Sequence, residues 1–314
     1  MAAPSPTVVL LLSDKRSGST MFQDELCRHS SIQHVAYSPH TYHETQHWLK
    51  AAALLNRPAA LFAGGKVYAT YQNRSTARTY MEDLLRGNLP DFELPAEDRD
   101  LVYEGWDALC TRYAEPVFFE KSPQFLAHWA ALSLILDWMA TTRFRVKLIG
   151  LVRNPLAVQY SAKELFSTEA ETRQFGWLDI QRNLLALQSV VPPEDFMLMR
   201  YEEILADAPA RFAEVCEFIG IEPDPAIGSA VHGNSLEKWR ADESYTLQLD
   251  PAVRQMAEAL GYSEQALDNP NLPDPSKRST TTAGQRIGRL RNRAQNQILK
   301  PAYLRLRHLS RGGR

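Results

Sequence analysis

Apolar and polar positions along the chain predict an α/β fold. Four short apolar runs lack polar alternation, and their composition is typical of strands that are buried on both faces. They are residues 7–12, 117–119, 146–152 and 196–199. Apolar residues at three- and four-residue spacings predict helices at residues 21–29, 126–140, 179–190 and 210–219. Strands that alternate with helices predict a doubly wound, three-layer fold with a central, mainly parallel sheet.

The stretch from residue 30 to residue 116 has no obvious strand pattern. Its periodic segments predict helices around residues 42–55, 76–86 and 98–113. We therefore expect a helical insertion or lid in this part of the chain. A proline-rich linker at residues 269–275 then separates the body from the C-terminal tail.

Charge is unevenly distributed along the chain. The 314 residues have a formal net charge of −2, which argues against binding nucleic acid through bulk charge. Eleven of the 35 basic residues lie at residues 277–314, which leaves 24 basic residues against 37 acidic ones in the body. Two interpretations of the tail stay open: a solvated or disordered segment, or a peripheral helix on anionic membrane with one apolar face at residues 285–308.

The number of cysteines and the lengths of the apolar runs indicate the cellular compartment in which the protein is expected. The three cysteines form no CxxC pair, which argues against a disulfide framework or a zinc site and suits a reducing compartment. No apolar run approaches the roughly 18 residues of a membrane span. The run at residues 8–12 is too short for a signal-peptide core. We expect a soluble, cytoplasmic protein, with membrane contact, if any, through the tail.

The segment Arg16-Ser17-Gly18-Ser19-Thr20 lies between the first predicted strand and the first predicted helix. Gly18 allows a tight turn and close approach of a ligand. Backbone N–H groups, hydroxyls and the helix N-terminus favour a phosphate there, and the Arg16 guanidinium can bridge two anionic oxygens. The loop lacks the second glycine and the Lys-Ser/Thr pair of a Walker A loop. Strand, loop and helix together predict an anion site.

Two further strand ends carry polar groups. Arg153-Asn154-Pro155 follows the third predicted strand, and Ser161 lies eight residues beyond Arg153, about two turns into the next helix. The second predicted strand ends in the segment Phe119-Glu120-Lys121-Ser122-Pro123. In an open α/β sheet the carboxyl ends of parallel strands meet at one edge, where ligands bind. The three strand ends therefore predict one extended anionic ligand site.

These motifs, in this order, resemble the PAPS-dependent sulfotransferases, especially their carbohydrate and bacterial branches. Residues 15–22 resemble the family's 5′-phosphosulfate loop, which reads RSGST in those branches and KSGTT in the cytosolic branch. Residues 151–155 with Ser161 resemble the 3′-phosphate motif, and residues 119–123 resemble the EK[ST]P segment of heparan-type enzymes. Residues 200–203 and 233–240 resemble a later Y-E-D segment and the C-terminal loop that closes over the donor.

The resemblance implies a P-loop-like sulfotransferase domain at residues 1–268, with residues 30–116 on the acceptor side, followed by the linker and tail at 269–314. It implies the donor PAPS, the product PAP and no metal. The donor-binding residues that it implies are Arg16, Ser17, Gly18, Ser19, Thr20, Arg153, Ser161, Tyr201, Asn234 and Lys238.

The resemblance also indicates a catalytic carboxylate. Heparan-type enzymes have a Glu 28 residues after the loop cation, which corresponds to Glu44 counted from Arg16. We expect Glu44 to be the general base, with Arg16 and Lys121 stabilising charge on the leaving phosphate. Arg16 stands where the cytosolic branch has a proton-donating Lys, and an Arg can only stabilise charge. Glu120 is the alternative base, although its neighbour Lys121 predicts a lowered pKa.

Other interpretations stay open from the residues alone. His43 and His47 could share a helical face at i, i+4 spacing, but no third metal ligand is evident, so we expect no metal. A kinase or other P-loop NTPase would also use a strand–loop–helix anion site, and a non-catalytic nucleotide-binding module would too. The acceptor is expected to be a hydroxyl on a carbohydrate or glycolipid, because of the RSGST and EKSP forms.

Overall fold

The computed structural model describes residues 6–57, 73–166, 169–231 and 236–273 of the chain. Within them, five parallel strands form one sheet in the order β2-β3-β1-β4-β5. The strands are β1 (Thr7–Ser13), β2 (Ile32–Gln33), β3 (Val117–Lys121), β4 (Arg145–Val152) and β5 (Phe196–Arg200). Because all strands are parallel, their carboxyl ends lie along one edge of the sheet.

Helices cover both faces of this sheet, which gives three layers. They are α1 (Ser19–Leu26), α2 (His47–Leu54), α3 (Arg74–Asn88), α4 (Asp98–Tyr113), α5 (Trp129–Met139), α6 (Pro155–Phe166), α7 (Ala170–Gln188), α8 (Tyr201–Ala206), α9 (Ala208–Ile219), α10 (Lys238–Ala241) and α11 (Pro251–Ala259). Short 3-10 helices span Thr41–His43, Pro123–Ala127, Pro193–Asp195 and Glu264–Leu267. None of the helices in the described part of the chain combines the length and apolarity needed to cross a bilayer.

The central strand β1 shows how the two layers of core arise. Its side chains are all buried and alternate between the faces, so Leu10 belongs to the core formed with α2–α7, α10 and α11, and Leu11 belongs to the core formed with α1, α8 and α9. The larger core contains Trp48 of α2, Trp106 of α4 and Trp138 of α5, whose rings pack together. This burial of strands on both faces explains why their sequences are continuously apolar.

The predicted fold is confirmed, and three local predictions are wrong. Residues 30–116 contain β2, a strand of two residues that is too short to leave a periodic pattern. The predicted helix at 42–55 is a 3-10 turn followed by α2 from His47, because Gln46 adopts a left-handed φ of 54°. The predicted helix at 126–140 is divided between a 3-10 helix and α5. The tail at 277–314 lies outside the described residues.

Candidate functional site

The loop after β1 turns sharply into α1 through Gly18, whose φ is +91°. A Cβ atom at this position would collide with the Tyr201 ring, so glycine is required by both conformation and space. No side chain caps the N-terminus of α1, and the Ser17 hydroxyl is buried without a hydrogen-bond partner among the described residues. These free donors at a helix N-terminus fit an anionic group.

The carboxyl end of β4 lies beside this loop and supplies the second cation. The Arg153 guanidinium is mostly buried, donates from Nη1 to the Arg16 carbonyl at 2.9 Å and stacks over the Tyr201 ring at 4.5 Å. Arg16 donates from Nε to the Ser161 hydroxyl at 3.0 Å, across 145 residues of sequence. Arg16 therefore bridges the two predicted phosphate-binding groups, which the sequence placed on separate motifs.

One cavity of ≈ 330 Å³ brings most of the predicted donor-binding residues together. Its walls include Arg16, Gly18, Ser19, Thr20, Arg153, Ser161, Tyr201 and Lys238. Ser17 is buried in the loop itself, and Asn234 lies outside the described residues. The cavity is lined by cations, hydroxyls and a helix N-terminus, a combination that suits two phosphate groups on one ligand.

The predicted catalytic groups meet next to this cavity. The Lys121 ammonium is fully buried and donates to Glu44 Oε1 at 2.9 Å and to the Thr20 hydroxyl of the loop at 3.4 Å. The Tyr42 ring lies 5.5 Å from the ammonium and is 63% exposed. Lys121 thus contacts both the predicted donor loop and the nearly buried Glu44 carboxylate, and the exposed Tyr42 ring lies next to it.

The backbone around Glu44 is unusual. Tyr42, His43 and Gln46 all have left-handed φ angles, of 59°, 56° and 54°, although none is a glycine. Such conformations are rare for these residue types, and they persist where surrounding structure holds them. Three of them within five residues indicate a segment that is held in shape to present Glu44.

Hydrogen bonds to β3 hold this segment in register. Glu120 accepts from the Thr45 amide at 3.2 Å and from the Thr45 hydroxyl at 2.8 Å, and the Gln46 amide donates to the Ser122 hydroxyl at 3.1 Å. Adjacent residues of a strand point to opposite faces. Glu44 therefore contacts Lys121 on one side of the strand end, and Thr45 contacts Glu120 on the other side.

The two carboxyl groups have opposite pKa shifts, which corrects the prediction for Glu120. Burial raises the pKa of Glu120 to about 7, despite hydrogen bonds from Ser122 and Thr45 that act in the other direction. Lys121 pairs with Glu44 instead of with its neighbour. Burial also acts to raise the pKa of Glu44, but His40 and Lys121 outweigh it and hold that pKa below its ordinary value. Glu44 is the carboxyl group that stays ionised at neutral pH.

The raised pKa of Glu120 predicts how stability depends on pH. Between its ordinary pKa of 4.5 and its folded pKa of about 7, the folded state holds a proton that the unfolded state releases. The stability that this group contributes is therefore present at low pH and is lost as the pH rises through about 7. We expect Glu120→Gln to remove this loss, and thermal unfolding between about pH 5 and pH 8 will measure it. The exposed acid Glu93, changed to Gln, is the control, and identical pH dependence in all three proteins would contradict the prediction.

The predicted helical pair of histidines is wrong. His43 lies in the 3-10 turn and His47 begins α2, and their rings bond to the carbonyls of Val35 and Val102. His40, in contrast, places Nδ1 3.2 Å from Glu44 Oε2. In the part of the chain that the structure describes, no three His, Cys, Asp or Glu side chains are grouped so that they could hold a metal ion.

Sequence reasoning missed two residues beneath the site. Arg173 of α7 donates to both carboxylate oxygens of Asp14, at 3.1 and 3.2 Å. Trp177, one turn further along α7, donates from Nε1 to the Arg153 carbonyl at 3.3 Å. Asp14 lies two residues before the loop and could have been singled out, but its partner lies 159 residues away and no local pattern connects them.

Comparisons with known proteins agree with this fold. A family model described as "Sulfotransferase family" matches residues 8–225. The sulfotransferase domain of the Synechococcus PCC 7002 olefin synthase aligns at 18% identity and a TM-score of 0.56, covering 84% of this chain and 98% of that domain. The sulfotransferase domain of the curacin biosynthetic pathway aligns at 19% identity and a TM-score of 0.53, covering 86% and 100%. These two structures share the fold, and no curated protein matches the sequence.

Proposed function

The chain belongs to the sulfotransferase family, and on that premise we propose that it transfers the sulfuryl group of PAPS to an acceptor hydroxyl. The observation that carries this proposal is the position of Lys121, whose ammonium contacts both Thr20 of the anion loop and the Glu44 carboxylate. A donor held on the loop and an acceptor held near Glu44 would therefore meet at one buried cation.

The cavity supports PAPS as the donor because three cationic side chains, Arg16, Arg153 and Lys238, line it and could bind two phosphates. The loop from Arg16 to Thr20 would bind the 5′-phosphosulfate through its hydroxyls and the N-terminus of α1. Arg153 and Ser161 would bind the 3′-phosphate, and Lys238 also lines the cavity. Tyr201 would support the donor between Gly18 and Arg153, whose atoms its ring approaches.

The proposed reaction is an in-line transfer. An acceptor oxygen forms a bond to sulfur while the bond from sulfur to the 5′-phosphate breaks, and Glu44 takes the proton that the acceptor hydroxyl loses. Lys121 and Arg16 stabilise the negative charge that develops on the departing phosphate. Arg16 cannot give a proton at neutral pH, so it contributes charge alone. PAP and the sulfated acceptor are the products.

Position favours Glu44 over Glu120 as the base. Glu44 contacts the cation that touches the loop, whereas Glu120 is held on the opposite side of β3 by Thr45 and Ser122. The ionised state of Glu44 at neutral pH allows it to accept a proton, although its lowered pKa makes it a weaker base than an ordinary Glu. Glu120 is better suited to hold the segment that carries Glu44.

The acceptor is proposed to be a carbohydrate or glycolipid. The RSGST and EKSP forms of the motifs support this class, since they resemble the carbohydrate branch. The exposed Tyr42 ring beside Lys121 offers an amphipathic surface on which an acceptor ring could lie. A kinase is disfavoured by the family match and by the absence of a Lys-Ser/Thr pair in the loop.

Binding of the product nucleotide tests the donor assignment. Replacing Arg153 by Leu is expected to weaken PAP about 10- to 100-fold, because charge-assisted hydrogen bonds to the 3′-phosphate are lost. Adenosine 5′-monophosphate lacks that phosphate, so the same substitution should weaken its binding less. Arg153→Lys keeps the charge but not the planar fork, and its affinity for PAP should lie between those of wild type and Arg153→Leu. Titration calorimetry measures all three proteins, and equal losses for both nucleotides would contradict the assignment of Arg153.

A further inference from the structure

We propose that Arg173 and Trp177 of α7 are positioning residues that set the spacing between the two phosphate-binding groups. They would thereby make the site selective for a nucleotide that carries both a 5′ and a 3′ phosphate. The inference rests on the proposed function, because it assumes that the loop and Arg153 each bind one phosphate of the same donor.

Arg173 contacts the residues just before the loop that would bind the 5′-phosphosulfate. Its Nη2 donates to both Asp14 oxygens and to the Lys15 carbonyl, at 3.1, 3.2 and 3.3 Å, and its Nη1 donates to Gln159 at 3.0 Å. The planar fork of an arginine can satisfy this set of acceptors at once, and the ammonium of a lysine cannot. The backbone that leads into the anion loop is therefore fixed relative to α7.

The ion pair with Asp14 contributes more to position than to stability. The Asp14 side chain is 3% exposed and that of Arg173 is 18% exposed. Burial raises the pKa of Asp14 even though Arg173 acts to lower it, so the folded state retains a desolvation cost. Buried pairs of this kind add little net stability compared with apolar residues of similar volume. Asp14 lies two residues before the loop and Arg173 also contacts the Lys15 carbonyl, which indicates that the pair holds the loop in place.

Trp177, on the same helix, contacts the backbone of Arg153, which would bind the 3′-phosphate. Its indole is fully buried, and Nε1 donates to the Arg153 carbonyl at 3.3 Å. Residues four apart on a helix lie on one face, about one turn from each other. Arg173 and Trp177 therefore connect the two phosphate-binding groups through a single turn of α7, a helix of 19 residues.

A fixed spacing matters for a ligand with two phosphates. Once one phosphate is bound, the second binds as an intramolecular event, and its gain is largest when its partner group is already at the right distance. A nucleotide with one phosphate does not depend on that distance. Loosening either attachment to α7 should therefore reduce the preference for PAP more than it reduces the affinity for adenosine 5′-monophosphate.

The test compares the two nucleotides in variants of α7. Titration calorimetry would measure PAP and adenosine 5′-monophosphate with wild type, Arg173→Lys and Trp177→Phe, alongside thermal unfolding of each protein. We expect the dissociation constant for adenosine 5′-monophosphate, divided by that for PAP, to shrink at least about fivefold in each variant. Two exposed residues of the same helix serve as matched controls: Arg182→Lys and Phe175→Leu should leave the ratio unchanged.

The paired variant Asp14→Asn with Arg173→Gln provides a second route if Arg173→Lys folds poorly. It removes both charges together, so no buried charge is left alone, and it should retain folding while losing the preference for PAP. Variants that fold and keep the wild-type ratio would overturn the role of α7 alone. A wild-type protein without any preference for PAP would overturn the donor assignment as well, which separates the two failures.

Discussion

Replacing Glu44 by glutamine is expected to lower turnover at least about 100-fold while PAP binding stays close to wild type. A positioned general base contributes about 10²- to 10⁴-fold to proton transfer, and glutamine cannot accept the proton. The amide has the same size as the carboxylate, and its oxygen can still accept from Lys121. The donor cavity is lined by other residues, so it should keep its shape. Steady-state sulfate transfer and calorimetry with PAP measure the two effects separately.

Glu120→Gln is the matched control for this substitution, because it changes the other buried carboxylate of the same network. Its amide oxygen can still accept from Thr45 and Ser122, so the segment that carries Glu44 should remain in place. We expect this variant to retain most of its turnover. Full activity in Glu44→Gln together with a large loss in Glu120→Gln would transfer the role of base to Glu120.

Replacing Lys121 by methionine should have the second large effect, lowering turnover about 100- to 1,000-fold. The loss of a preorganised cation at the departing phosphate accounts for a decrease of that size. The same change leaves Glu44 buried without its cation, and breaking a buried pair costs about 3–5 kcal/mol of unfolding free energy. Lys121→Arg keeps the charge and should retain more activity and more stability than the methionine variant.

A double substitution separates the two consequences of removing Lys121. Lys121→Met combined with Glu44→Gln has neither charge, so much of the lost stability should return while turnover stays low. Chemical denaturation gives the free energies, and the transfer assay gives the rates. Recovery of activity along with stability would show that Lys121 acts only in folding, and would contradict its catalytic role.

Four of the five described strands, and the polar groups at three strand ends, could be predicted from sequence because each is a local pattern. The runs at 7–12, 117–119, 146–152 and 196–199 are continuously apolar, since both faces of the sheet are covered. Parallel strands then bring the loop at Gly18 and the end of β4 at Arg153 to one edge without further information.

The details of the segment around Glu44 could not be predicted, because they depend on contacts between distant parts of the chain. Nothing near Gln46 signals its left-handed conformation, which hydrogen bonds to Ser122 and Gln124 stabilise from 76 and 78 residues away. The pKa of Glu120 was predicted from its neighbour Lys121, but adjacent residues of a strand face opposite sides. Burial, which only the tertiary structure reveals, determines the direction of the shift.

Similarly, α7 has no motif that would assign it to the donor site. Arg173 and Trp177 precede the helix that the sequence predicts at residues 179–190, and their partners Asp14 and Arg153 lie in other parts of the sequence. Only the packing of α7 brings them to the two groups that are proposed to bind phosphate. Residues that act by positioning others are in general harder to find from sequence than those that contact a ligand.

Transfer of radiolabelled sulfate from PAPS is the most direct test of the central claim. Wild-type protein and Glu44→Gln would each be incubated with labelled PAPS and with carbohydrate, glycolipid and other cell-extract fractions. Mass spectrometry would then identify any product that has gained one SO₃ group. The proposed function predicts a labelled carbohydrate or glycolipid with wild type, released together with PAP, and almost none with the variant. No labelled product in any fraction, from a folded protein that binds PAP, would contradict it.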